Sequence, residues 1–215
     1  MAAKTCFVTV GATASFSELV TAVLSPEFIK TLQKQGFGEL LIQYGFNGKP
    51  LFEKGLQASG AETSSVRVSG FDLDKGGLGR YMRQAKTSGG VCISHAGSGT
   101  ILDALRLSLP LIVVPNESLL DNHQVELAEA LAEQSYVVHG KLSSLSQALE
   151  DSVVLGQKQG QWPPPNSGTH RQARGLKGVL DDEMGFLDGE LGALPKQGNV
   201  FKTADVSFVQ TVIGE

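Results

Sequence analysis

The segment Cys92-Ile93-Ser94-His95-Ala96-Gly97-Ser98-Gly99-Thr100, followed by Ile101-Leu102-Asp103-Ala104-Leu105, runs from an apolar strand through a glycine-rich turn into a helix. Gly97 and Gly99 allow a tight turn with no Cβ in the way, and a helix starting near Ser98 presents unpaired N–H groups and the positive end of its dipole. Such a turn suits an anion, most naturally a phosphate. Each charge-assisted hydrogen bond there contributes roughly 1.5–3 kcal/mol, so two or three would hold a nucleoside diphosphate in about the micromolar range. A plain strand-to-helix turn has the same pattern, so the neighbouring loops must decide between the two.

Ligands of open parallel sheets sit beyond the carboxyl ends of the strands, and two more unusual loops are expected at that edge. One is Gly11-Ala12-Thr13, after the opening strand; the other runs from Asn116 to Gln124. Asp121 reads as a helix cap with Gln124 at its third position. Asn122, His123 and Gln124 offer donors and acceptors for hydroxyls and amides, which suits a sugar; a solvated polar loop is the competing reading. Asp103, about one turn into its helix, is either favoured there by the dipole or an acceptor for a ribose hydroxyl. His95 either donates to a phosphate or orients the turn through a backbone hydrogen bond.

Other chemistries fare worse. Gly97-x-Gly99 has no third glycine at the dinucleotide-binding position and no GK[ST] after it, and no GxSxG elbow occurs. Asp72-Leu73-Asp74 has the DxD form that holds a divalent ion in metal-dependent sugar-nucleotide enzymes, but a polar loop between strand and helix explains it better, so no metal requirement is expected. Cys6 and Cys92 fall in apolar strand-like runs without CxxC spacing, which suits neither zinc nor a disulfide framework.

The elements that position these loops alternate in type. Strands are expected at 5–10, 39–44, 65–69, 90–94, 111–115 and 136–138, with helices between them, the pattern of a Rossmann-like α/β domain with a parallel sheet and helices on both faces. Ser15-x-x-Glu18 and Ser144-x-x-Gln147 read as capping boxes, and Ser25-Pro26 as a cap followed by a first-turn proline. Leu102, Leu105 and Leu109 recur at helical spacing, predicting that this face packs on the sheet. Composition shifts after Gly156 toward Trp162-Pro163-Pro164-Pro165, which divides the chain into a domain over 1–156 and a linker and docking tail over 157–215. In that tail His170, Arg171, Arg174 and Lys177 form a potential basic helical face, and Val206–Ile213 an apolar segment.

With 215 residues, a net charge of -4 and no continuous basic stripe, the chain does not read as a nucleic-acid binder. Its apolar runs are strand-length, and the first residues enter a strand without a signal-peptide core, so a cytoplasmic location is expected.

Residues 91–140, with Ile93-Ser94-His95-Ala96-Gly97-Ser98-Gly99-Thr100, Pro110-Leu111-Ile112-Val113-Val114-Pro115-Asn116 and Leu120-Asp121-Asn122-His123-Gln124, resemble the catalytic-subunit family of the eukaryotic UDP-N-acetylglucosamine transferase of the dolichol pathway. Phe7-Val8-Thr9-Val10-Gly11-Ala12-Thr13 resembles its opening, so the similarity covers about residues 4–155. The resemblance implies half of a GT-B glycosyltransferase, similar to the C-terminal domain of the bacterial family 28 enzymes. In it, this polypeptide binds the donor UDP-N-acetylglucosamine, and a membrane-anchored partner supplies the acceptor half. Such a pair transfers N-acetylglucosamine to N-acetylglucosaminyl-diphosphodolichol at the cytosolic face of the endoplasmic reticulum. By the same resemblance Gly97, Ser98, Gly99 and Thr100 cradle the diphosphate with Gly11 and Thr13 nearby, Asp103 stands at the ribose, and Asn122, His123 and Gln124 grip the sugar. His95 and His123 are the candidate catalytic residues, although the general base is expected from the partner. A non-catalytic nucleotide-sugar-binding subunit is the rival reading.

Overall fold

The computed structural model describes residues 3–12, 15–61, 64–116 and 123–160. Six strands, β1 (Lys4–Thr9), β2 (Phe37–Gln43), β3 (Arg67–Phe71), β4 (Val91–Ser94), β5 (Leu111–Val113) and β6 (Val138–His139), form one sheet in the order β3-β2-β1-β4-β5-β6. Every pairing is parallel. The helices are α1 (Ser17–Val23), α2 (Pro26–Lys34), α3 (Lys49–Ala58), α4 (Gly79–Thr87), α5 (Ser98–Arg106), α6 (His123–Glu133) and α7 (Leu145–Gly160).

The strand side chains show how both faces are covered. Cys6, Val8, Ile93 and Ile112 point into one core with residues of α1, α2 and α7, whereas Phe7, Cys92, Leu111 and Val113 point into a second core with residues of α4, α5 and α6. Strands buried on both sides read as unbroken apolar runs, which is why β1, β4 and β5 stand out in the sequence. Cys6 and Cys92 are both buried and free, and burial pushes both thiols well above their ordinary range.

Local signals hold where no tertiary contact competes. Ser25 caps α2 by accepting from the Phe28 amide at 3.2 Å, with Pro26 in the first turn. The box expected at Ser15 does not form: Phe16, 3% exposed, occupies the cap position and α1 begins at Ser17. Ser144 ends a short 3-10 turn, Leu142–Ser144, and Gln147 donates instead to Asp151 at 3.0 Å.

The packed face of α5 also differs from expectation. Ile101 and Ala104 are the buried residues of the helix, one step round the wheel from the predicted Leu102–Leu105 stripe. Leu109 is buried, but beyond the helix, which ends at Arg106 before Ser108 turns to a φ of 50°. At the far end α7 continues helical through 157–160, past the predicted domain limit, and the linker and tail from 161 onward lie outside the described residues.

Candidate functional site at the sheet switch point

β1 lies between β2 and β4, so the chain leaves it to one side and later returns on the other. In this topology a crevice opens beyond the carboxyl ends of the two strands where the direction reverses. It is lined here by Gly11 and Ala12 after β1, Gln43 at the end of β2, Leu73 and Asp74 after β3, and the His95–Thr100 segment between β4 and α5.

The wall formed by α5 is an array of donors. Gly97 stands at its N-cap with φ -77° and ψ 120°, and no side chain caps the helix. Its own N–H donates to the His95 carbonyl at 2.8 Å, and its carbonyl receives the Ile101 N–H at 3.1 Å. The N–H groups of Ser98, Gly99 and Thr100 donate to none of the described residues. Three such amides at the positive end of a helix, left uncapped, constitute an anion-binding surface.

The glycines of the crevice serve space as much as conformation. At Gly97 a Cβ would come within 2.4 Å of His95 Nε2, so any larger residue there must displace the imidazole. Gly11 takes a φ of +83°, and a Cβ there would lie 2.4 Å from His95 Cε1. The ring is therefore held between the two turns. A Cβ on Gly99 would meet none of the described residues, so the space beside it is open. Burial lowers the His95 pKa below the ordinary 6.5, with the Thr9 backbone opposing in part, so the ring is neutral at neutral pH. Its buried Nδ1 has no hydrogen-bond partner among the described residues.

Beneath the crevice Gln43 is 1% exposed and fully bonded. Its Oε1 accepts from Thr9 Oγ1 at 2.6 Å, while Nε2 donates to the carbonyls of Gly11 at 3.0 Å and Asp72 at 2.8 Å. Those two carbonyls accept only, which fixes the orientation of the side-chain amide. On the outer wall Asp74 accepts from Gly76 N and Tyr81 Oη, both at 2.8 Å, and pairs with Arg80 at 2.6 Å. The Gly76 amide, then the Tyr81 hydroxyl, hold its carboxyl below the usual range, with Arg80 adding to the effect. Asp72 accepts from the Leu73 amide at 2.7 Å. The DxD carboxylates are thus engaged in shaping their loop, and the described residues contain no group of three or more His, Cys, Asp or Glu suited to a metal ion.

The sequence singled out the β1 and β4 loops, and the fold brings Gly11, His95, Gly97, Ser98, Gly99 and Thr100 together. Asp103 faces solvent, with its side chain 57% exposed and paired with Arg106 at 3.2 Å. Gln124, in the first turn of α6, accepts from the Asn116 amide at 3.3 Å. Thr13, Asn122 and the side chain of His123 lie outside the described residues. Gln43 is a lining residue that the sequence reading does not single out. A polar residue closing the apolar run Leu40-Leu41-Ile42 at the carboxyl end of a buried strand was the available signal for Gln43.

The profile of the glycosyltransferase family 28 C-terminal domain matches residues 5–167, spanning the whole sheet and both crevice loops. The chain belongs to this family. Among curated family relatives, "UDP-N-acetylglucosamine transferase subunit ALG13" of Saccharomyces cerevisiae is 39% identical over 156 residues, covering 62% of this chain and 76% of that protein. The protein of the same name from Cryptococcus neoformans is 33% identical, covering 85% of this chain and 97% of its own length. The solution structure of an ALG13 superposes with a TM-score of 0.54 at 31% identity, covering 79% of this chain and 94% of that one. MurG of Acinetobacter baumannii shares the fold, with a TM-score of 0.51 at 16% identity over 77% of this chain and 47% of its own.

Proposed function

We propose that the chain is the donor-binding subunit of a UDP-N-acetylglucosamine-dependent glycosyltransferase, with the sugar nucleotide's diphosphate seated in the switch-point crevice. The observation that carries this reading is the row of uncommitted Ser98, Gly99 and Thr100 amides facing a loop whose glycines leave backbone exposed. The family membership and the relatives' printed names supply the substrate class.

In this proposal the reaction is an inverting displacement at the anomeric carbon. UDP departs as an anion, and the α5 amides and dipole stabilise its developing charge without needing a metal ion. His95, neutral beside the diphosphate, offers it a ring N–H as a hydrogen-bond donor. Thr13 and Gly11 complete the diphosphate pocket, Asp103 swings from its exposed pair with Arg106 to the ribose, and Asn122, His123 and Gln124 hold the sugar. Such an exposed pair contributes little and is easily exchanged.

The acceptor proposed is N-acetylglucosaminyl-diphosphodolichol. No helix among the described residues is long and apolar enough to cross a membrane, and a polyprenol chain needs a lipid-embedded host. A membrane-anchored partner therefore supplies the acceptor half and the general base, and recruits this cytoplasmic chain to the cytosolic face of the endoplasmic reticulum.

The test is transfer of labelled N-acetylglucosamine by the full chain together with membranes carrying the partner. Gly97→Val, which drives the His95 ring out of place, and His123→Ala are each expected to lower turnover by about a hundredfold or more while the two proteins still co-purify. Unchanged turnover in both variants would remove the catalytic reading and leave a nucleotide-sugar-binding subunit.

A further inference from the structure

Two buried side chains close a ring of hydrogen bonds around one glycine. The Gly11 N–H donates to Thr9 Oγ1 at 3.2 Å, the Thr9 hydroxyl donates to Gln43 Oε1 at 2.6 Å, and Gln43 Nε2 donates to the Gly11 carbonyl at 3.0 Å. Both polar groups of Gly11 are thereby fixed. Thr9 is 0% exposed and Gln43 1%, so both are almost wholly shielded from solvent.

This ring sets the next peptide. In a trans peptide the carbonyl of one residue and the N–H of the next point in opposite directions. With the Gly11 carbonyl drawn inward to Gln43, the Ala12 N–H points outward. Ala12 is exposed, lines the crevice, and its N–H donates to none of the described residues. It lines the same crevice as Ser98, Gly99 and Thr100. The second Nε2 bond, to the Asp72 carbonyl, holds the β3 loop at the same spacing.

We propose that Gln43 is a positioning residue: with Thr9 it aims the Ala12 amide at the diphosphate, making that amide the opposing jaw to the start of α5. This rests on the donor-site reading above. Gln43 has no contact with ligand in this proposal and acts through the Gly11–Ala12 peptide. An unbonded Gly11 carbonyl would be free to rotate outward, presenting an oxygen to the phosphate in place of a donor.

The test titrates UDP and uridine into the full chain, wild type and variants, with thermal melting followed in parallel. In Gln43→Glu the ionised side chain repels the Gly11 and Asp72 carbonyls. UDP affinity is expected to fall about tenfold at about pH 8, to recover in part at about pH 6 where the carboxyl takes up a proton and donates again, and uridine binding is expected to stay unchanged. Ala12→Pro, at an exposed position, deletes the N–H itself and is expected to cause a similar loss of UDP binding alone. In that background Gln43→Glu should lower UDP affinity little further, because the two changes act on one contact. Equal weakening of uridine and UDP, unchanged UDP binding in either variant, or additive losses would overturn the positioning role. Failure of the wild-type chain to bind UDP would instead overturn the donor-site reading itself.

Discussion

At the scale of single residues, the crevice separates glycines required by the protein from one left open. Gly11 and Gly97 face the His95 ring, whereas a Cβ on Gly99 would meet none of the described residues. Alanine is favoured over glycine within helices by about 0.5–1 kcal/mol, so Gly99→Ala should leave the melting temperature unchanged or raise it. The same methyl group projects where a ligand approaches the helix start, so UDP affinity should drop; a variant that is both stabilised and fully binding would show that this surface is idle. His95 gives a pH signature. Its folded pKa is depressed by burial below 6.5, so the unfolded chain takes up a proton first as the pH falls. The stability this contributes is present above about pH 6.5 and is lost on acidification toward the lower folded value. Melting curves between about pH 7.5 and about pH 5.5 should therefore show a steeper decline for wild type than for His95→Gln, and equal slopes would contradict the buried neutral ring.

At the scale of elements, the sheet-facing side of α5 can be checked directly. Ile101 is fully buried and Leu102 only partly, so Ile101→Ala should cost roughly 2–4 kcal/mol in denaturant unfolding and Leu102→Ala clearly less. The reverse order would restore the leucine stripe read from spacing. This helix also shows what a sequence can and cannot convey. Ile101, Leu102, Ala104 and Leu105 satisfy two overlapping helical faces, and only the direction in which β4 delivers the chain selects between them. Strands were legible because residues such as Phe7, Val8, Ile93 and Ile112 form apolar runs that burial on both faces demands. The cap at Ser25 was legible because its partner is three residues away; the box at Ser15 failed because Phe16 is drawn into the core. Half of the crevice was readable from local glycine chemistry. The Gln43 junction was not, since it joins groups 34, 32 and 29 residues distant in the chain, and no local spacing encodes that meeting.

At the scale of the whole molecule, the proposed function assigns the donor diphosphate to the sheet edge and the acceptor chemistry to another surface. Charge stabilisation by amides and dipole differs from metal-assisted departure in a measurable way. Asp74 is already bonded to Gly76, Tyr81 and Arg80, so transfer by the chain with the proposed membrane partner should persist in excess chelator, and loss of activity restored by a divalent ion would return the DxD segment to consideration. The division of labour proposed here also requires that donor binding survive without the partner while transfer does not. In that proposal both crevice loops and the α5 start come from this one chain, so donor binding needs no second protein. The most direct measurement is a titration of isotope-labelled full-length chain with UDP, following individual backbone amides. Large, saturable shifts at Ser98, Gly99, Thr100 and Ala12, absent when NAD replaces UDP, are the expected result; UDP-induced shifts confined to other surfaces, with those four amides unmoved, would contradict the site and the function built on it.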